Sequence, residues 1–421
     1  MYKKMNQILL ILLAIAPAGL FIIKGWISAV LFLGAFISIL LIIKDRSDFV
    51  KFKNIFWGRL IVLMFCAPLL AGIFSQSLRG ILLWPEFDSP SRFLLALPIF
   101  LVAYKYQFNL IKYWQLTLTL CLALTLIAYP FLPGYYPQAN DRFAIYFTDP
   151  LTFGHLTLTF GLLSLFAINL DSKDKPLVTL IKIIGVILGF YFSIKSQSRT
   201  GWLAIPVVCF IFLWSHGPKN KFLSTLVALL VTTTLSISAY QLSSTVRNRI
   251  DVGVQDVISY KMYEENPLTS IGERISFARM GWYYFKLQPF AGWGRDGFKA
   301  HVNDPEISQY ANEHTRNTPA GGLFHSEFTT NMVKFGIWGI IYTGLLFFVP
   351  LGLFIKLWRQ GIHVRASAFG ITYVLCEFIG GFSTEVFNLK FTATFYAIMI
   401  AGLCAFALNA LENTSKKQES L

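Results

Sequence analysis

The sequence predicts an all-α polytopic membrane protein with about twelve transmembrane helices and one large loop on the outside face that carries amphipathic helices. Three observations predict it. Of 421 residues, 55% are hydrophobic, 16% aromatic and 14% charged, where a soluble protein carries about 25% charged residues. Apolar runs recur along the chain at lengths near the roughly 17–25 residues that span a bilayer. A single long polar stretch, residues 241–328, interrupts the series. A soluble helical protein with buried helices could not cover so much apolar surface, because the polar residues needed to do so are absent.

Twelve apolar segments follow in order: 7–23, 26–43, 58–75, 92–105, 108–130, 150–170, 177–194, 200–215, 222–240, 329–355, 367–387 and 391–410. The fourth and eighth are short and are interrupted by Pro98 and Pro206. Lys3, Lys4 and the apolar run ending near Ala14-Ile15-Ala16 also fit a signal peptide. Because Trp26 to Ile43 follows at once, the first segment is read as a retained helix. The chain thus divides into helices 1–9 (residues 1–240), the loop (241–328), and helices 10–12 with a short tail (329–421).

Orientation follows from the short loops, since lysine and arginine collect on the cytoplasmic side. With both termini inside, the inside segments hold Lys3, Lys4, Lys44, Arg46, Lys51, Lys53, Lys105, Lys173, Lys175, Lys219, Lys221, Lys356, Arg359, Arg365, Lys416 and Lys417. The short outside loops hold only Lys24, Arg79, Arg92, Arg142, Lys195, Arg199 and Lys390. Much of the formal charge of +14 is therefore topology signal, and nucleic-acid binding is a poor explanation of it. Cys66, Cys121, Cys209, Cys376 and Cys404 all lie in apolar segments, where cysteine acts as a small hydrophobe. They suggest neither redox nor zinc chemistry.

The stretch 241–328 is too long for a simple connector. It is rich in aromatic residues, among them Trp282, Tyr283, Phe290 and Trp293, which argues for a folded element. Ile271, Ile275, Ala278, Trp282 and Phe285 follow helical spacing and predict one amphipathic helix over 271–287. Gly292-Trp293-Gly294 and Asp296-Gly297 read as tight turns. Basic residues from Arg247 to Arg316 are balanced by acidic ones from Asp251 to Glu327, so an anion site here requires particular arginines to be placed together.

Candidate site residues cluster at the outside boundary. Arg199 stands where the eighth helix is expected to begin, with Ser198 or Thr200 as its cap and the helix N-terminus ready for a phosphate. The plainer alternative is an interfacial arginine that snorkels. Arg274 opens the amphipathic helix, where the plainer reading is a solvated charge. His325 precedes the tenth helix beside Ser326 and Glu327. A lone histidine is more often structural, but its pKa suits a general base or a phosphate contact. His155 and Glu385, near the outer ends of the sixth and eleventh helices, are polar groups of the kind that are costly in a membrane and often functional. His216 and His363 fall on the inside face, and His301 and His314 lie in the loop without a patterned context.

Three blocks then carry a resemblance. His325-Ser326, nine residues, Gly336, two residues and Gly339 resemble the signature of bacterial O-antigen ligases. Ser198-Arg199-Thr200-Gly201-Trp202-Leu203 resembles the helix start shared by the wider O-antigen ligase and polymerase superfamily. Arg274 through Pro289, Gly292 and Gly294 resembles its arginine-led helix and following turn. VRNRIDVGVQDVISY (246–260) and TSIGERISF (269–277) are similar to enterobacterial ligases in particular. The likeness is close over roughly 195–340 and extends further through helix count and topology.

The resemblance implies an inner-membrane glycosyltransferase with its active site on the periplasmic side. Its donor would be a glycan on undecaprenyl diphosphate and its acceptor a sugar hydroxyl of lipid A–core, with inversion at the anomeric carbon. Arg199 and Arg274 would stabilise the leaving diphosphate, and His325 would orient or deprotonate the acceptor. Arg295, His155, Glu385 and Ser326 would contact substrate, Arg295 either as a third phosphate contact or as a turn residue. No cofactor is implied. The sequence shows no metal cluster, nucleotide loop or Asp-x-Asp pair, so a metal-independent reaction is expected. An O-antigen polymerase, a ligase that glycosylates protein, and a transporter of lipid-linked glycans remain as alternatives. A transporter should show internal repeats and mid-membrane polar groups.

Overall fold

Each of the twelve apolar runs contains a helix, but not every one of these helices is by itself long and apolar enough to cross a membrane. A computed structural model describes residues 2–45, 56–131, 142–170, 172–216, 221–258, 269–319 and 322–419. Its α-helices, in chain order, are α1 (Tyr2–Ala14), α2 (Trp26–Lys44), α3 (Phe56–Arg79), α4 (Asp88–Lys105), α5 (Ile111–Ala128), α6 (Pro150–Ala167), α7 (Pro176–Lys195), α8 (Ala204–His216) and α9 (Lys221–Leu242). The polar stretch supplies α10 (Ser244–Ile258), α11 (Ser270–Leu287), α12 (Pro305–Ser308) and α13 (Glu313–Asn317). The chain closes with α14 (Glu327–Phe335), α15 (Ile337–Arg359), α16 (Val364–Gly380) and α17 (Lys390–Glu419).

Among the described residues, nine helices are long and apolar enough to cross a membrane, and there is no strand. The count of twelve falls short at three places. α1 and α8 have 13 residues each, about 20 Å at 1.5 Å per residue, against a hydrocarbon core of about 30 Å. α16 has 17 residues and includes Arg365 and Glu377. Arg46, Lys51, Lys53 and Lys219, which carry part of the charge asymmetry, lie outside the described residues, as do Lys261, Glu264 and Glu265 of the polar stretch.

The expected tenth span, 329–355, is two helices. Gly336 separates α14 from α15 with φ 60° and ψ −139°, a conformation open essentially to glycine alone. The break serves a contact between chain segments far apart in sequence. Ile337 N donates to Pro289 O at 2.7 Å, while Trp293 N and Gly294 N donate to Val333 O and Lys334 O, each at 2.9 Å. A Cβ on Gly336 would stand 2.3 Å from Pro289 O, and one on Gly339 would stand 2.0 Å from Asn331 O. The glycines of the two resembling blocks thus lock the end of α11 to the start of α15.

α6 and α17 form the middle of the bundle: 89% of each apolar window is buried, against 7% for α9. α6 meets α7 so closely that a Cβ on Gly189 would lie 2.5 Å from the Gly161 Cα, the close backbone approach that small residues permit between membrane helices. Hydrophobic residues of the polar stretch build a second, smaller core from Phe277, Met280, Tyr284, Phe298, Ile307 and Phe324 with Val333 of α14. That core holds α11 against the bundle end where α6, α15 and α17 begin and α7 and α16 finish.

Candidate active site

The turn after α7 is built by its serines. Ser196 Oγ donates to Ser193 O at 2.7 Å, and Ser198 Oγ donates to Leu151 O at 3.3 Å. The turn lies on α6 through Gly154, where a Cβ would stand 1.9 Å from Ser196 Oγ. Turns continue from Thr200 to Leu203 and α8 begins only at Ala204. Ser198 and Thr200 are therefore not the cap of α8, and Arg199 projects from an irregular turn instead of a helix N-terminus.

Arg199 Nη1 donates to Arg249 O at 2.9 Å, and its Nη2 stands 3.7 Å from Asp256 Oδ2. Both partners belong to α10, and Gly253 between them leaves the space the guanidinium fills: a Cβ there would lie 2.5 Å from Arg199 Nη1. Arg249 in turn hydrogen-bonds the side chain of Gln197. Arg142 Nε donates to Ser196 O at 3.1 Å. Arg274 is held on α11 by Ser270 O at 2.8 Å, and its Nε has no hydrogen-bond partner among the described residues.

These four guanidiniums feel one another. Burial pushes the Arg274 pKa below the ordinary arginine value and Arg199 pushes it the same way, against Glu273, Glu385 and Asp256. Arg142 is lowered by burial and by Arg249, Arg274 and Arg199, with only Asp149 opposing. Arg249 is lowered by burial and then by Arg199. Arginine stays protonated even so, so the result is a cluster of four half-buried guanidiniums whose charge Asp149, Asp256, Glu273 and Glu385 offset only in part. A dianion is the ligand that would relieve it. Sequence reasoning had singled out Arg199 and Arg274; Arg142 and Arg249 come from a short loop and from α10, whose approach to the turn is a long-range fact.

His325 stands beside this cluster with φ 49°, a left-handed backbone uncommon for a residue other than glycine and frequent at functional sites. Its ring lies 5.9 Å from that of Phe277 on α11, tilted by 40°. Glu273, about one helical turn before Phe277, is the histidine's electrostatic partner: burial raises the Glu273 pKa, and His314, His325 and Arg274 oppose that rise. His314 Nε2 is 3.8 Å from Glu273 Oε1, so this histidine, unremarkable in sequence, borders the site. His301 is turned to Asp304 at 2.9 Å.

The next residues secure that loop. Ser326 caps α14, its oxygen accepting from Thr329 N at 3.5 Å. Glu327 is wholly buried and accepts from Val386 N at 2.6 Å, Phe387 N at 2.8 Å, Asn388 Nδ2 at 3.0 Å and Asn331 Nδ2. Glu385, also buried, accepts from Thr330 Oγ1 at 3.1 Å and is the carboxylate that reaches Arg274 electrostatically from behind α14. His155 is enclosed: its Nε2 is 3.2 Å from Glu377 Oε2, and a Cβ on Gly380 would lie 2.4 Å from its ring. It supports the turn from below. Arg295 stands apart, its side chain 3.8 Å from Asp296 and its backbone N donating to Glu86 Oε1 at 2.7 Å.

Residues 184–344 match the family model described as O-antigen ligase. The matched segment covers less than half of the chain. It contains Arg199, Arg249, Glu273, Arg274 and His325, together with Gly336 and Gly339 of the interlocked turns. Arg142, His155, Glu377 and Glu385 contribute from outside the matched segment. The chain is also 25% identical over 278 residues to an uncharacterized protein of Haemophilus influenzae (strain ATCC 51907 / DSM 11121 / KW20 / Rd), a match that takes in 64% of this chain. The chain spans just under two thirds, 66%, of that relative's length.

Proposed function

We propose that this protein is an O-antigen ligase, which transfers a glycan from undecaprenyl diphosphate to a sugar hydroxyl of lipid A–core at the periplasmic face of the inner membrane. The observation that carries the reading is the mesh of Arg142, Arg199, Arg249 and Arg274 beside His325 at the end of a bundle of membrane-length helices. Both substrates are lipids, so the reacting groups meet where the bilayer ends.

In the reaction, the acceptor hydroxyl oxygen attacks the anomeric carbon as its bond to the diphosphate breaks. The leaving diphosphate takes the bonding pair and needs no proton. The four arginines meet the charge that develops on it, preorganised in a partly enclosed site. His325 takes the hydroxyl proton, and Glu273 stabilises the resulting imidazolium as a carboxylate behind a catalytic histidine does. Attack from the face opposite the diphosphate inverts the anomeric centre. His155 and Glu377 position the Arg199 turn against α16.

A lipopolysaccharide gel of a deletion strain tests the reading. Expected is lipid A–core without long chains, with lipid-linked polymer accumulating. A single repeat left attached to core would identify a polymerase and overturn the ligase assignment. Complementation then tests the roles. Arg199→Lys and Arg274→Lys keep charge but lose the fork that pairs with phosphate oxygens, and each should cost about 10²–10³ in rate. His325→Ala should abolish transfer at normal protein level. Near-normal lipopolysaccharide from His325→Ala would refute the base assignment.

A further inference from the structure

A groove runs along the outer side of α11, starting at Arg274 of the reacting site and leading away from it. Its cavity of about 580 Å³ begins at Arg274 and is bounded by Arg279, Trp282, Lys286, Glu306 and Tyr310. The size falls within the range of about 300–1,000 Å³ usual for small-ligand clefts, room for a few sugar rings and not for a polymer. Trp282 stacks on Phe285 at 5.6 Å yet remains 55% exposed, so a large aromatic surface faces the groove with nothing covering it. The Arg279 guanidinium lies 4.4 Å above the Tyr310 ring, and among the described residues no carboxylate pairs with it. Lys286 and Glu306 stand 3.4 Å apart, both half exposed. Beyond Arg274, which belongs to the mesh, two cations thus face one carboxylate along the groove.

We propose that this groove holds the acceptor, an oligosaccharide carrying anionic groups, and so places its hydroxyl at the reacting site. The inference rests on the glycan-transfer reading above. Aromatic faces with flanking charged hydrogen-bonding groups suit a sugar, whose rings present C–H faces and hydroxyl edges. A surface made to rest on lipid would have no use for the Glu306 carboxylate. The positive balance decides between the two glycans. The donor's charge lies in its diphosphate, which the four-arginine mesh already serves, and a second cationic strip beyond Arg274 fits an acceptor with acidic groups of its own.

The test uses the purified full chain with lipid-linked donor and lipid A–core acceptor. Trp282→Ala and Arg279→Ala should each raise KM for the acceptor about tenfold or more, while kcat at saturating acceptor and KM for the donor stay within about twofold, the pattern of lost binding without lost chemistry. Trp282→Phe should restore most of the affinity. Deacylated core oligosaccharide should inhibit the wild type competitively against lipid A–core and inhibit the two alanine variants about tenfold less. A rise in donor KM instead would give the groove to the donor glycan and overturn the proposal. Failure of the deacylated oligosaccharide to compete, or equal inhibition of wild type and variants, would mean that the groove meets lipid and would also overturn it. If the wild type extends a lipid-linked glycan instead of lipid A–core, the ligase reading fails by itself, and acceptor KM measured with that glycan decides the groove. A wild type inert toward both acceptors would refute both statements.

Discussion

Glu327 shows how one residue fixes the geometry of the site next to it. Four N–H donors converge on its carboxylate, which favours the anion, yet burial prevails and pushes its pKa from 4.5 up to about 7. The folded protein therefore holds a proton that the unfolded chain releases between about pH 4.5 and 7, so stability falls as pH rises through that window and levels off above it. The effect is on the order of 3 kcal/mol for a shift of this size. Glu327→Gln should remove that slope from a melting-temperature profile of the detergent-solubilised protein. It should also lower stability near pH 7, because an amide presents N–H to donors it cannot accept from, at about 1–3 kcal/mol for a buried group left unpaired. An unchanged pH slope in the variant would show that another group carries it. At this scale the sequence was partly legible. Arg199, Arg274 and His325 stood out together through the blocks that resemble O-antigen ligases, since each of them taken alone has a plainer reading. Arg142, Arg249 and Glu273 did not, since a charged residue in a polar stretch looks the same whether it faces water or another charge.

Elements were legible where hydrophobic length decides and obscure where a single backbone conformation does. The helix expected over 271–287 follows from its apolar spacing, and the structure starts it at Ser270 behind Thr269, whose side-chain oxygen accepts from Gly272 N at 3.1 Å. The break at Gly336 was invisible to the same reasoning, because apolar residues lie on both sides and periodicity averages over it. The late start of α8 escaped for a related reason: Thr200 to Leu203 read as helix but are spent on turns that hold Arg199 against α10. Gly336→Ala tests the interlock. It imposes a positive φ on a residue with a side chain, a strain of about 1–3 kcal/mol, and sets a Cβ 2.3 Å from Pro289 O. Melting temperature and transfer activity should both drop sharply. Gly344→Ala in α15 is the control, since its Cβ would meet only Phe348 at 3.8 Å and should change neither. Equal behaviour of the two variants would show that the pairing of the 289–294 turn with the α14–α15 break does not matter.

At the scale of the whole molecule, the membrane-length helices predict that the two ends of the bundle lie on opposite sides of a membrane. α15 begins at Ile337, next to the interlocked turns of the site, and runs 23 residues to Arg359. At 1.5 Å per residue that is about 35 Å, enough to cross a hydrocarbon core of about 30 Å. Lys356, exposed near its far end, and Lys286, exposed in the groove on α11, should therefore face different compartments. From the charge asymmetry the groove is expected outside. A membrane-impermeant maleimide applied to intact cells with a permeabilised outer membrane should label Lys286→Cys at once. Lys356→Cys should react only after the inner membrane is disrupted. The native cysteines give a low background, because Cys121, Cys376 and Cys404 are buried and Cys66 and Cys209 are half-buried in apolar helices. Labelling of both variants from the same side would mean that α15 does not cross. Labelling in the reverse order would leave the bundle intact but put the arginine mesh in the cytoplasm, and a reaction between two periplasmic lipids could not take place there.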